Sequence, residues 1–258
     1  MKITTIILDW AGTSVDFGSM APVDAFITAF EAHGITPTTE ETRAPMGLPK
    51  RAHIATMLSG ERLLAAWQKH HGRTHTEVDI DAIYARFETI LFESLSNYAT
   101  PLPDVLETVA KIRESGIKIG STTGYTRPMM DIVASLAKEQ GYAPDCLVCP
   151  EDVGHGRPYP YMIWRNLELL GTKNIAEVLK LGDTEADMHE GKAAGCLTAG
   201  VVVGSSMLGL SEGEWAALSG EEQAQQIEKT RAAYFAAGAD FVIDSIRELP
   251  TLIRTIGG

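Results

Sequence analysis

A parallel, doubly wound α/β sheet with an inserted all-helical cap domain is the architecture that these 258 residues predict. Three observations carry it. Six short runs are apolar throughout rather than alternating, as strands covered on both faces are. Helical periodicity lies between most of them, the pattern of βα repeats. One gap after the first run, roughly 90 residues long, carries helical patterning alone.

Taken in order, the first run is Ile3–Trp10. After it Pro22–His33, Leu48–Ser59, Glu61–His70 and Asp81–Ser94 have helix spacing, so residues 19–99 are expected to form the cap, and 1–18 with 100–258 the core. Pro101 and Pro103 mark the return to the sheet. Val105–Ser115 places Val105, Leu106, Val109 and Ile112 at helical intervals and stops at Gly116. Strands are expected at Ile117–Thr122 and Cys146–Cys149, followed by a helix over Tyr159–Leu170 that ends at Gly171. The remaining runs are Val178–Leu181, Thr198–Val203 and Asp240–Ile243, with an Ala- and Glu-rich helical excursion, Ser211–Ala237, before the last.

Composition narrows the function. Hydrophobic residues at 45% and charged residues at 22% exclude a disordered or fibrous chain. A net charge of −12 argues against a nucleic-acid footprint, which needs a basic face, but leaves room for a small anionic substrate held by a few local cations. The run Ile3–Leu8 has only Lys2 before it and stops at Asp9, which fits neither a signal peptide nor a membrane span. Three cysteines cannot build a disulfide framework. Cys146 and Cys149 have redox spacing but sit in an apolar run ended by Pro150, so they read as inert core thiols. A reduced, cytoplasmic protein without a membrane or nucleic-acid partner is expected.

In a doubly wound sheet, ligands bind at the carboxyl ends of the strands. Those ends carry Asp9, the cluster Ser121-Thr122-Thr123-Gly124, Arg157 in Gly156-Arg157-Pro158, and Asp183 with Asp187 in Gly182-Asp183-Thr184-Glu185-Ala186-Asp187. Each alone has an ordinary explanation as a turn residue, a helix cap or a solvated charge. Four in the right order at four strand ends point to one crevice. Carboxylates with a backbone carbonyl make a hard oxygen site for Mg²⁺, and a hydroxyl with an arginine can hold phosphoryl oxygens. A carboxylate aimed in line at phosphorus would form an aspartyl-phosphate.

These segments with their inserted helices resemble the haloacid dehalogenase superfamily over essentially the whole chain. The resemblance implies that Asp9 is the nucleophile, that Asp9, the main-chain carbonyl of Ala11 and Asp183 hold Mg²⁺, and that Thr123 and Arg157 contact the phosphoryl group, with Asp187 supporting the metal loop. Phosphatases of the superfamily carry a general-acid Asp two positions after the nucleophile. Ala11 stands there instead, and the missing help to the leaving group is worth roughly 10²–10⁴ in rate.

The cap segment Met46-Gly47-Leu48-Pro49-Lys50-Arg51-Ala52-His53 offers a substitute. A lysine amine condenses with an aldehyde to an iminium, an electron sink for a carbanion leaving phosphorus. Asp9–Asp16 together with Met46–Lys50 and Ser121–Tyr125 resembles the phosphonoacetaldehyde hydrolase (phosphonatase) family. That resemblance implies a Schiff base on Lys50, with Met46, Gly47, His53 and Tyr125 around the substrate, His53 a candidate proton shuttle, phosphonoacetaldehyde as substrate, and a homodimer. Ser19 stands where the family often has cysteine. Part of the apolar set Phe26, Phe30, Ile54, Leu58 and Trp67 is expected to pack a partner. The competing expectations are a conventional phosphate-ester phosphatase or sugar phosphomutase of the same superfamily, and a non-enzymatic phosphoaspartate receiver or binding protein.

Overall fold

The computed structural model describes residues 2–46 and 48–257. Gly47, one of the expected substrate-binding residues, lies outside the described residues. The six strands are β1 (Thr5–Leu8), β2 (Lys118–Thr122), β3 (Cys146–Val148), β4 (Val178–Gly182), β5 (Leu197–Val201) and β6 (Phe241–Ile243). They form one all-parallel sheet in the order β3-β2-β1-β4-β5-β6. β1 and β4 are buried along their whole length, which is why both read as mainly apolar runs, Lys180 being the one charged residue in β4. Register sets Leu8 beside Ser121 on one side and Leu181 on the other, so the residues just past β1 and β4 emerge side by side. The strand order reverses at β1, and a crevice opens there.

Five helices follow β1: α1 (Met20–Glu31), α2 (Thr39–Arg43), α3 (Lys50–Ser59), α4 (Glu61–His71) and α5 (Glu77–Ser94). The core helices are α6 (Val105–Glu114), α7 (Arg127–Glu139), α8 (Tyr161–Leu170), α9 (Glu185–Ala194), α10 (Glu212–Ala217), α11 (Gly220–Ala236) and α12 (Leu249–Gly257). The expected excursion at Ser211–Ala237 is thus two helices, α10 and α11. No helix among the described residues is long and apolar enough to cross a membrane.

Two local differences from the sequence reading matter for the site. α2 is too short to show a period, and it is set by a capping box in which Glu41 N–H donates to Thr38 Oγ1 at 3.2 Å and Thr38 N–H to Glu41 Oε2 at 2.8 Å. α3 begins at Lys50 rather than Leu48 because Pro49 occupies its N-cap position.

The expectation that part of the cap's apolar set packs a partner is corrected. Phe26, Phe30, Ile54 and Leu58 are fully buried, and Trp67 is buried too, all within this one chain. The Phe26 ring stacks between His53 at 4.0 Å and Phe87 at 4.1 Å, joining α1, α3 and α5. A five-helix bundle of this size must turn its bulky residues inward to have a core at all. The large exposed aromatics lie instead on the core: Tyr159, Tyr161 and Trp164 form a ladder at 6.2 and 5.7 Å between rings.

We propose the cap boundaries at 18/19 and 99/100. Asp16, Gly18 and Ser19 are all left-handed, with φ of 56°, 77° and 51°, and turn the chain out of the core. The returning chain is tied alongside through an isolated antiparallel bridge between Val15 and Pro101. Asp16, not Ser19, caps α1, accepting from Met20 N at 2.9 Å and Ala21 N at 3.1 Å.

Candidate active site

The site begins where β1 ends. Asp9 N–H donates to Leu181 O at 3.0 Å, extending the ladder by one residue before the chain turns. Trp10 O then accepts from the N–H groups of Thr13, Ser14 and Val15 at 3.1, 2.7 and 3.0 Å, which coils the loop tightly over Asp9. Ser14 Oγ donates to Asp9 O at 2.7 Å, and Tyr142 OH lies 2.9 Å from Ser14 Oγ, so the backbone of the candidate nucleophile is pinned. Gly12 has φ +78°, and a Cβ there would lie 2.1 Å from Asp183 Oδ2. Only glycine lets this loop approach the second carboxylate.

β4 delivers Asp183 beside Asp9, and Ser206 N–H donates to its Oδ2 at 2.8 Å. Asp187 is the third residue of α9, in a capping box where Thr184 Oγ1 donates to Asp187 Oδ2 at 2.6 Å. Carboxylate oxygens of Asp9, Asp183 and Asp187 lie within 4.8 Å of one another, and all three residues are buried. Arg157 enters from the loop before α8. It donates from Nη2 to Asp9 Oδ1 at 2.5 Å and to Thr122 Oγ1 at 3.0 Å, and from Nε to Glu190 Oε2 at 3.0 Å. Its Nη2 also lies 2.9 Å from Asp187 Oδ1. Burial opposes the Arg157 charge, but Asp187, Asp9 and Glu190 outweigh it and hold the guanidinium firmly protonated.

Three residues of this network were not singled out from the sequence. Lys180, fully buried in β4, donates to Thr122 Oγ1 at 2.8 Å and pairs with Asp187 Oδ1 at 2.8 Å and Glu190 Oε2 at 3.4 Å. Thr122 Oγ1 in turn donates to Glu190 Oε2 at 3.0 Å. The signal for Lys180 was available: a lysine inside an otherwise apolar parallel strand must find buried acids, since an unpaired charge there is prohibitively costly. Glu190, three residues after Asp187 on α9, shares its helix face. Thr122 offered no such signal, being one of three neighbouring hydroxyl residues. Thr123, the one expected to touch the phosphoryl group, is buried with its Oγ1 accepting from Tyr125 N at 3.0 Å.

The donor set suits a divalent cation. Four buried carboxylates, Asp9, Asp183, Asp187 and Glu190, face two buried cations of the core, Arg157 and Lys180, leaving two negative charges uncompensated. Burial, and then the facing charges of Asp9 and Asp187, push the Asp183 carboxyl well above the usual range. Asp187 goes the other way: burial opposes its charge, but Arg157 and Lys180 prevail and hold it below the usual range. No donor among the described residues bonds the Ala11 carbonyl, which leaves its oxygen free to accept. Hard oxygens in this number fit Mg²⁺. Adding Mg²⁺ at about 100 times its Kd to metal-free protein is expected to raise Tm by roughly 5–10 °C. The increment shrinks as pH falls, because protons compete for the raised Asp183 carboxyl. Differential scanning fluorimetry against pH reads both; an unchanged Tm removes the cation from this site.

The cap places Lys50 over the same crevice. Its stem is partly exposed, but the amine reaches inward, 5.7 Å from the Phe26 ring and 6.0 Å from the Tyr125 ring. Burial lowers its pKa to about 8; the Asp9 charge opposes that shift and the Arg157 charge adds to it. His53, one turn further, is fully buried with Nε2 2.8 Å from Thr42 O. A carbonyl only accepts, so Nε2 carries the proton. Burial, then the Lys50 charge, lowers its pKa to about 3, leaving a neutral ring whose Nδ1 has no partner among the described residues. Tyr125 is buried with its hydroxyl likewise unpartnered. Met46 and Arg157 both line a groove of about 620 Å³ between cap and core. The structure thus gathers Asp9, Arg157, Asp183, Asp187, Lys50 and Tyr125 around one crevice, with Met46 at its margin.

Outside the site, burial pushes the Cys149 and Cys196 thiols up to about 12, and Cys146 above its ordinary value, which disfavours the thiolate that redox chemistry needs; all three cysteines are unpaired.

The sequence profile of the haloacid dehalogenase-like hydrolases matches residues 3–195. A phosphonoacetaldehyde hydrolase of Lysinibacillus sphaericus is 51% identical over 257 residues, covering 99% of this chain and 96% of its own. One of Bacillus cereus is 47% identical over 256 residues, covering 99% and 97%. Among solved structures, a phosphonoacetaldehyde hydrolase-like protein of Oleispira antarctica superposes with a TM-score of 0.95 at 38% identity, covering 99% of this chain and 93% of its own. On the profile match, the near-complete coverage and the site geometry together, this chain belongs to the haloacid dehalogenase-like hydrolases and, within them, to the phosphonoacetaldehyde hydrolase family.

Proposed function

We propose that the chain hydrolyses the phosphorus–carbon bond of phosphonoacetaldehyde to acetaldehyde and phosphate, through a Lys50 imine and an Asp9 aspartyl-phosphate. One observation carries the reading: a lysine amine of lowered pKa shares a buried crevice with Asp9 and Arg157, while the position of the usual oxygen-directed acid is Ala11. The names of the 46–51% identical relatives support the same substrate.

Substrate enters with its phosphonate toward Arg157 and its aldehyde toward Lys50. The neutral amine adds to the aldehyde, and loss of water leaves a protonated imine. Arg157 shifts from Asp9 to the phosphonate oxygens, freeing the carboxylate, while Lys180 continues to neutralise Asp187 and Glu190. Asp9, Asp183 and the Ala11 carbonyl would hold Mg²⁺, which would neutralise phosphonate charge when bound. Asp9 attacks phosphorus in line. The phosphorus–carbon bond breaks, its electron pair enters the iminium, and an enamine remains on Lys50. The terminal enamine carbon then takes up a proton, giving the imine of acetaldehyde, and His53 and the Tyr125 hydroxyl are the groups proposed to relay it. Water then hydrolyses the resulting imine to acetaldehyde and the aspartyl-phosphate to phosphate, returning Lys50 and Asp9. Met46 and Gly47 are proposed to border the substrate, and Thr123 to shape the phosphonate end through its hold on Tyr125 N.

A conventional phosphatase or phosphomutase would need an acid at position 11, and a phosphoaspartate receiver would have no use for a helical cap that carries a lysine over the nucleophile. Borohydride trapping decides between these readings. Protein, Mg²⁺ and phosphonoacetaldehyde are mixed, reduced, digested and mapped by mass spectrometry; a two-carbon adduct on Lys50 is expected. Phosphate release from simple esters without any adduct would overturn the proposal.

We also propose a homodimer and a cytoplasmic location, the latter on the three unpaired cysteines. The exposed ladder Tyr159–Tyr161–Trp164 is the surface a second copy would cover. Trp164→Glu is expected to give a monomeric mass by light scattering at micromolar concentration; a monomeric unmodified chain would remove the dimer.

A further inference from the structure

A single arginine stands at the junction of hinge, cap and metal loop. Arg43 is the last residue of α2, in the cap. Its Nη1 donates to Gly18 O, in the linker, at 2.8 Å and reaches Ser206 O, in the core, at 3.4 Å. Nη2 lies 2.9 Å from Met20 Sδ at the start of α1. Ser206 is also the residue whose N–H holds Asp183. The linker is tied to the same core loop again by Gly18 N–H donating to Gly204 O at 2.7 Å. Burial lowers the Arg43 pKa, and the charges of Asp16 and Asp183 act against that shift.

The backbone around Arg43 carries the other half of the connection. Arg43 O accepts from Met46 N at 2.9 Å, and Thr42 O accepts from His53 Nε2 at 2.8 Å. The end of α2 therefore grips both the turn that leads to Lys50 and the first turns of α3. From Asp183 through Ser206 and Arg43 to the Lys50 segment, each link is a hydrogen bond or two adjoining residues.

We propose that Arg43 is a positioning residue that latches the cap onto the core, so that the loop holding Asp183 and the helix carrying Lys50 come into register only in the closed arrangement. Opening the cap separates α2 from the loop at 204–210 and breaks the contact with Ser206 O, while the contact with Gly18 O stays at the pivot. Because Arg43 touches neither the candidate nucleophile nor the amine, its contribution is to the population of the closed state. The catalytic consequence rests on the Lys50 reading above; the latch itself does not.

Removing a charged donor from two carbonyls is expected to lower kcat/KM about 10- to 100-fold in Arg43→Ala. Amide hydrogen exchange should quicken at 204–210 and 48–53 while the sheet strands keep their protection. Millimolar guanidinium should restore part of the rate and methylammonium should not, since the site is built for a planar fork. Arg43→Lys should fall between the two, and it carries the same readouts if Arg43→Ala does not fold. Unmodified exchange with full activity overturns the latch, as does lost activity that guanidinium cannot rescue with exchange rising across the whole sheet. Should the wild-type chain never trap an imine at Lys50, the proposed function falls, and local exchange in Arg43→Ala still decides the latch.

Discussion

Lys50→Arg is expected to abolish phosphonoacetaldehyde turnover while Mg²⁺ still raises Tm. A guanidinium keeps the positive charge but does not condense with an aldehyde, so the electron pair leaving phosphorus has no acceptor. Ala11 supplies no alternative, and a general acid alone is worth roughly 10²–10⁴, so the fall should exceed about 10⁴-fold. The pH profile of the unmodified chain carries the same signature. Imine formation needs the neutral amine, whose fraction rises with pH through the lowered Lys50 pKa of about 8. The rate of imine formation should therefore fall about tenfold per pH unit well below that value and level off above it. A substantial rate in Lys50→Arg, by coupled assay of acetaldehyde, would take the Schiff base out of the mechanism.

Asp9→Asn separates the two covalent steps. An amide does not attack phosphorus as a carboxylate does, so turnover is expected to vanish. Lys50 chemistry precedes that attack and should persist. Borohydride reduction of this variant is thus expected to leave an adduct on Lys50 that still carries the phosphonate, where the unmodified chain leaves the two-carbon group alone. The substitution also removes one carboxylate from the Arg157 cluster and relieves the repulsion on Asp183, so the fold should tolerate it. An adduct lacking phosphorus in Asp9→Asn would mean that something other than Asp9 opens the bond.

Much of the site was legible before any fold was in view. Asp9, Arg157 and Asp183 each follow a run of apolar residues or a Gly turn, because a parallel strand must be apolar along its buried length and reactive only where it ends. Their order along the chain repeats the order of the elements that bring them together. Lys50 was legible through its Met-Gly-Leu-Pro-Lys context and through the alanine at position 11, whose chemical deficit asks for a second device. The cap showed as a long absence of strands.

Other features depend on packing between distant segments. The inward turn of Phe26, Phe30 and Trp67 is settled by α1 meeting α5 and by α4 closing the bundle, since helix periodicity says which residues share a face but not which neighbour covers it. Thr122, Lys180 and Glu190 become one hydrogen-bonded group only when β2, β4 and α9 are adjacent. Local spacing likewise identified Lys50 as a chemically apt residue, but its amine is lowered because residues far away in sequence enclose it and set Arg157 nearby. Residue types at strand ends state which reaction the chain can attempt. Burial, dielectric and the partners of each charge come from contacts across the whole length, and those determine whether the amine is neutral, the carboxylate bare and the cap closed when the reaction begins.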